Sequence, residues 1–149
     1  MTPRPATRRS LPIALLRARE RVMEPIRAML AQSGVSEQKW RVLRVLEESG
    51  PMDLTRLAAE ACLLLPSLTR MLPALLAEGL VARQPDPADR RRAVIAIAPP
   101  GRALLDRPAE ESAAIFARIE AEFGPERLQT LLDLLDDLRS LRGGRDGLD

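Results

Sequence analysis

Residues Leu64–Gly101 read "LLPSLTRMLPALLAEGLVARQPDPADRRRAVIAIAPPG", and the order of patterns within them decides the fold. Leu68, Met71, Leu72, Leu75 and Leu76 recur on one face of a helix. Pro66, Ser67, Thr69, Arg70, Pro73, Ala74 and Ala77 fall on the other face, which is therefore small and almost uncharged. An outward helix face in water ordinarily carries Glu and Lys, so this one is shaped to enter something narrow, such as a DNA major groove. Gly79 stops the helix. "LVAR" and "AVIAIA" then alternate in the period of a strand around "QPDPADRR", which predicts a hairpin with a long polar tip. Arg90, Arg91 and Arg92 crowd that tip.

Working outward, Asp53 caps a short helix, "LTRLAAEA", that turns inward Leu54, Leu57 and Ala58. Before it, Ser36 caps "EQKWRVLRVLEES", whose Trp40, Leu43 and Leu46 form a buried stripe, and "SGP" at 49–51 ends it. Short helix, turn, helix with a bland outer face, then an arginine-tipped hairpin is the order of a winged helix-turn-helix. The arginines then serve a wing that reaches phosphates or the adjacent minor groove, where negative potential concentrates.

The predicted fold class is mainly α with a small β-hairpin wing: a winged helix-turn-helix over 36–99, with dimerisation helices over 10–34 and 100–142. Ser10 caps the first outer helix, Pro12 fits its first turn, and Leu15, Val22, Ile26 and Met29 carry its apolar period to a stop at Gly34. Downstream, "PGRALLDRPAEESAAIFARIEAEF" and "ERLQTLLDLLDDLRSLR" read as two helices separated by Gly124-Pro125. The last bears Leu128, Leu131, Leu132, Leu135 and Leu138, an apolar face broader than one core needs, which argues for a partner helix. Residues 1–9 read as a flexible basic arm and 143–149 as a flexible tail.

Composition narrows the function classes. One cysteine, Cys62, and no histidine rule out an internal disulfide, a Cys/His zinc cage and a His-based triad, so neither a catalytic site nor a cofactor or metal is expected. No uncharged run approaches the roughly 18 residues of a membrane span, and the chain is read as cytoplasmic. The net charge of +2 conceals a polarity: residues 1–98 hold 16 Arg/Lys against 10 Asp/Glu, whereas residues 99–149 hold 7 against 11. The basic part contains the helix-turn-helix and the wing, which favours a nucleic-acid partner.

"LAAEACLLLPSLTRMLPALLAEGLVAR" followed by "DPADRRRAVIAIAPPGRALL" resembles the signature of the MarR-type (multiple antibiotic resistance regulator) family: recognition helix, wing with D-x-R, and fifth helix. "SLPIALLRARERVMEPIR", "QKWRVLRVLEESGPMDLTRLA", "CLLLPSLTRML" and "RIEAEFGPERLQTLLDLL" are most similar to the branch that represses operons for homoprotocatechuate (4-hydroxyphenylacetate) degradation. The resemblance implies a homodimer on a double-stranded DNA operator, with repression relieved by a small aromatic carboxylate. It further implies that Asp89 braces Arg91 and that Arg91 enters the minor groove. One departure stands out: the strand runs into "IAPPG" where the family has Leu-Thr before the Gly.

The expected DNA-contact residues are Pro66, Ser67, Thr69, Arg70, Pro73, Asp89, Arg90, Arg91 and Arg92. For the effector, the resemblance points to Ser10, Arg19 and Arg41, a cation being needed for a carboxylate; Trp40 reads first as core and second as a pocket wall. Cys62, beside "LLL", reads as a small buried hydrophobe rather than an oxidant sensor. Two alternatives to the ligand-responsive repressor are a repressor that senses oxidants through Cys62 and a winged-helix protein-interaction module that binds no DNA.

Overall fold

The computed structural model describes residues 2–3, 6 and 9–141, so the tail at 143–149 and part of the arm at 1–9 lie outside the described residues. The order is α1 (Leu11–Ser33), α2 (Glu37–Ser49), α3 (Leu54–Glu60), α4 (Leu65–Ala77), β1 (Val81–Pro85), β2 (Ala93–Ile97), α5 (Pro99–Asp106), α6 (Ala109–Phe123) and α7 (Pro125–Arg139). The fold is mainly α with one two-stranded wing, as expected. No single helix among the described residues is long and apolar enough to cross a membrane.

Local chemistry sets the boundaries. The Ser36 hydroxyl accepts from the Lys39 amide at 3.1 Å, and the Asp53 carboxylate from the Arg56 amide at 2.8 Å, so each satisfies a donor that the first helical turn leaves open. Ser10 occupies the cap position of α1 without a side-chain cap bond. Gly34 ends α1 at φ 68°, a left-handed conformation that glycine adopts without steric cost. The segment expected as one helix from residue 100 to 123 is two, α5 and α6. Pro108 separates them, because it has no amide to donate and disfavours helical geometry at the residue before it. Pro73, by contrast, lies inside an unbroken α4 on its exposed face, where water can solvate the Thr69 carbonyl that the ring leaves without a helical donor.

The chain divides into two compact units, residues 1–112 and 113–149. The core of the first unit joins Val42, Leu43 and Leu46 of α2, Leu57 and Ala58 of α3, Leu68, Leu72 and Leu75 of α4, Leu80, Val81 of β1 and Ile95 of β2. Leu43, Leu46, Leu57, Ala58, Leu68, Leu72 and Leu75 lie on faces that the periodicity marks, whereas Val42 is buried without having been marked. β1 and β2 pair antiparallel from Val81↔Ile97 to Pro85↔Ala93. β2 has a second neighbour: Met52 and Ile95 exchange both amide hydrogen bonds, at 3.1 and 2.8 Å, which ties the wing to the segment between α2 and α3. Val94, Ile95 and Ala96 are consecutively buried, so β2 is covered on both faces rather than alternating as its sequence suggests. In the second unit, Gly124 separates α6 from α7 and the Arg127 guanidinium lies 4.4 Å from the centroid of the Phe123 ring.

Gly101 in α5 is where strand, helix and core approach most closely. A Cβ there would stand 2.3 Å from the Leu80 carbonyl oxygen, 2.9 Å from Ile97 Cγ1 and 3.2 Å from Leu43 Cδ2. That carbonyl accepts from the Ala98 amide at 2.9 Å, so the backbone has little freedom to yield. Gly101→Ala is expected to destabilise the fold by about 1–3 kcal/mol through overpacking. Denaturant unfolding monitored by circular dichroism measures this, and a midpoint equal to that of the wild type would contradict the close approach.

Candidate nucleic-acid interface

α4 presents Pro66, Thr69, Arg70, Pro73, Ala74 and Ala77 to the exterior, and Arg70 is the one charge among them. Their common face follows from 100° per residue, which brings positions 66, 70, 73 and 77 into line. Ser67 is half-buried and lies off that line. The Thr69 hydroxyl donates to the Leu65 carbonyl at 2.9 Å. Arg70 forms no ion pair with any described residue.

The wing tip is built by its two aspartates. The Asp86 carboxylate accepts from the Ala88 amide at 2.9 Å and the Asp89 carboxylate from the Arg91 amide at 3.0 Å, while the Arg92 amide donates to the Asp89 carbonyl at 3.0 Å. Short side chains that accept from an amide two residues on are turn formers. Asp89 thus holds the main-chain amide of Arg91 and forms no ion pair with its guanidinium. This leaves the side chain of Arg91 pointing free of an ion partner: Arg90, Arg91 and Arg92 are exposed and form no ion pair with any described residue. A concavity on the wing is lined by these three together with Arg83, Gln84, Pro85 and Ala93. Arg83 was missed by sequence reasoning, although its signal was available: two residues after buried Val81 on β1, it continues toward the tip.

The effector candidates do not all converge. Arg19 of α1 pairs with Glu37 in the first turn of α2, and so is brought to the end of the helix that carries Trp40. Ser10 lies nine residues before Arg19, about 13 Å along the helix axis. Trp40 is half-buried rather than part of the core, and the Arg44 guanidinium lies 5.3 Å from its ring centroid. Arg41 turns elsewhere: its Nη1 donates to the Cys62 carbonyl at 3.5 Å, and its buried Nε has no hydrogen-bond partner among the described residues. The cation beside Trp40 is thus Arg44, which the i, i+4 spacing from Trp40 already placed on the same helical face. Cys62 is exposed, against the expectation of a buried hydrophobe, because it sits with φ 53° in the turn between α3 and α4, outside both packed faces.

Several arginines of the helices are committed to carboxylates. Arg27 donates to Glu20 at 2.7 and 3.0 Å and to Glu37 at 3.4 Å, so Arg19, Glu20, Arg27 and Glu37 link α1 to α2. Lys39 joins Glu78 at 3.1 Å, and Arg102 of α5 joins Glu47 of α2 at 3.0 Å. These pairs are solvent-accessible, and each adds little to stability. The wing arginines, by contrast, have no such partner among the described residues.

The sequence pattern of the MarR family matches residues 35–93. The chain is 39% identical over 136 residues to the homoprotocatechuate degradative operon repressor of Escherichia coli, an alignment that covers 91% of this chain and 92% of that one. Its structure is similar to that of NadR in complex with 4-hydroxyphenylacetate, with a TM-score of 0.84 and 35% identity, covering 95% of this chain and 100% of NadR. It is also similar to CouR bound to a 23-mer DNA duplex, with a TM-score of 0.73 and 29% identity, covering 87% of this chain and 92% of CouR.

The α1–α2 ion cluster generates a pH dependence. The hydrogen bond from Arg27 holds the Glu20 carboxyl below its ordinary value, desolvation opposes this, and the charges of Arg27 and Arg19 add to it. A carboxylate whose pKa is lower in the folded state stabilises the fold above its unfolded pKa, and loses that contribution as pH falls through the folded value. Glu20→Gln should therefore be less stable than the wild type at neutral pH, with the difference closing below the usual carboxylate range near about pH 4. Melting temperatures of both proteins across that range measure it; a gap independent of pH would exclude Glu20 as its source.

Proposed function

The chain belongs to the MarR family of transcriptional repressors, and from that premise we propose that it acts as a homodimer on a pseudo-palindromic operator, released by a small aromatic carboxylate. α4 enters the major groove, with Pro66, Thr69, Arg70 and Pro73 toward the bases and half-buried Ser67 at the edge of that face, and the wing lies across the adjacent phosphates with Arg91 in the minor groove. The observation that carries this reading is the gathering of four arginines without an ion partner among the described residues, Arg83, Arg90, Arg91 and Arg92, around one concavity of the wing. A cluster of unpaired guanidiniums beside a nearly uncharged helix face is complementary to a phosphate-lined groove. That CouR, to which the fold is similar, is bound to a DNA duplex supports DNA as the partner.

Dimerisation is assigned to the segments 10–34 and 100–142. α1 exposes Leu11, Leu15, Leu16 and Val22, and α7 exposes Leu131, Leu132, Leu134 and Leu135. Apolar surface of this extent is what a second copy would cover. The aromatic carboxylate binds at the α1–α2 junction, its ring against Trp40 and its charge toward Arg44 and Arg19, with Ser10 and Arg41 at the periphery. 4-Hydroxyphenylacetate, the compound in the NadR complex, is the first effector to test. By the same family premise the operon controlled is one of aromatic-acid catabolism, as for the E. coli relative.

Two measurements decide these assignments. Arg91→Ala is expected to weaken operator binding and to reduce the slope of log affinity against log salt by about 0.9, one phosphate's worth of counterion release. Asp89→Asn keeps the acceptor for the Arg91 amide and removes a negative charge, so it should bind DNA at least as tightly as the wild type, whereas Asp89→Ala should bind more weakly than Asp89→Asn. Equal binding by the two Asp89 variants would remove the turn-forming role. For the effector, 4-hydroxyphenylacetate should raise the melting temperature, by mass action on the folded state, and release the operator. Arg44→Ala should lose both responses, and an unaltered response would move the site away from Trp40.

A further inference from the structure

Given the placement of α4 in the major groove, on which this inference rests, the accounting of hydrogen-bonding groups on its outer face limits how it can read sequence. Pro66, Pro73, Ala74 and Ala77 have no polar side-chain atom. The one hydroxyl on the stripe, that of exposed Thr69, donates to the Leu65 carbonyl at 2.9 Å, so its proton is committed and the groups it can still offer are its methyl and lone pairs. Ser67 is half-buried and about 100° round the helix from Pro66. Arg70 is then the single strong donor on that face, suited to a guanine edge. At the N-terminal end, where recognition helices meet the bases, stands Leu64, 76% exposed and directly preceding the helix. Leu65 beside it is also exposed. A large apolar side chain kept in water at the tip of a helix flanked by arginines contributes nothing to the core cluster.

We propose that α4 reads its half-site chiefly through thymine methyl groups, contacted by Leu64 and by the Thr69 methyl, around a single hydrogen-bonded guanine read by Arg70. The physical basis is specific to one base. In the major groove thymine alone presents a methyl group, so an apolar side chain distinguishes it from cytosine and from both purines without a hydrogen bond. Leu64 is hydrated in the free protein and loses that hydration only when it meets such a methyl. Each contact that buries one methyl group is expected to change affinity about fourfold.

The test uses an operator duplex selected by the wild-type protein from a random-sequence pool. Each thymine in a half-site is replaced in turn by deoxyuridine, which removes the methyl and keeps the base pair. The wild type should lose about fourfold at two or more of these positions. Thr69→Ser keeps the hydroxyl and removes the methyl: it should bind the parent duplex about fourfold more weakly and become insensitive to deoxyuridine at one position. Thr69→Val keeps a methyl and removes the hydroxyl, and should retain that sensitivity. Leu64→Ala should become insensitive at a second position, and the exposure of Leu64 predicts that its melting temperature matches the wild type. Wild-type binding that is indifferent to every deoxyuridine, or Thr69→Ser with undiminished sensitivity, overturns the proposal while the repressor assignment stands. Failure to select any sequence from the pool overturns both.

Discussion

The pair of hydrogen bonds between Met52 and Ile95 holds the functional surface together. A two-stranded hairpin is marginal by itself in water, and one tipped with three adjacent arginines is further loosened by their mutual repulsion. On one side β2 pairs with β1, where Ile95 stands opposite Arg83, and on the other Ile95 is bonded to Met52, so the base of the wing is in effect the centre of a three-stranded arrangement. Because Met52 lies between α2 and α3, the same bonds set the position of the wing relative to the helix-turn-helix. Gly101 completes the lock from the other end, where the absence of a side chain lets α5 settle on the Leu80 carbonyl.

Charge is distributed by the same logic. Carboxylates of α1 and α2 neutralise arginines where helices meet, as Glu20 and Glu37 do for Arg27 and Arg19. The two carboxylates of the wing tip instead receive backbone amides, Asp86 from Ala88 and Asp89 from Arg91. An acidic residue among arginines would ordinarily weaken an anion-binding surface; used as a turn former, it shapes the tip and leaves the guanidiniums available. Four arginines then share one concavity, and the adjacent helix face supplies shape and apolar surface rather than more charge. In the proposed complex, affinity and discrimination would be carried by different elements, the first by the wing and the second by α4.

Much of this was legible in the chain because its cues are local. Leucines at helical spacing marked the core faces of α2, α3 and α4; Ser36 and Asp53 marked helix starts through bonds that span three residues; and "DPADRRR" marked the tip. Each of these depends on neighbours within a turn or two, so sequence distance and spatial distance coincide. The break at Pro108 was equally local, and the helical period on either side of it outweighed a rule that would have split the segment. Resemblance to a family supplied the identity of the wing arginine but not the atom through which Asp89 acts.

The features that only the tertiary structure decided are those in which a residue's environment comes from far along the chain. The direction of Arg41 toward the Cys62 carbonyl depends on where the end of α3 comes to rest, whereas Arg44 over Trp40 follows from their i, i+4 spacing on α2. Exposure of Cys62 follows from a left-handed turn that places it outside both packed faces, although its neighbours are leucines. The second neighbour of β2 comes from Met52, some 40 residues earlier, which closes on Ile95. The sequence by itself determined the elements, their order and the chemistry they display, because backbone propensity and side-chain period act over a few residues. Which arginines are paired and which are free was decided in three dimensions, because an ion pair depends on where two distant segments of the chain come to rest.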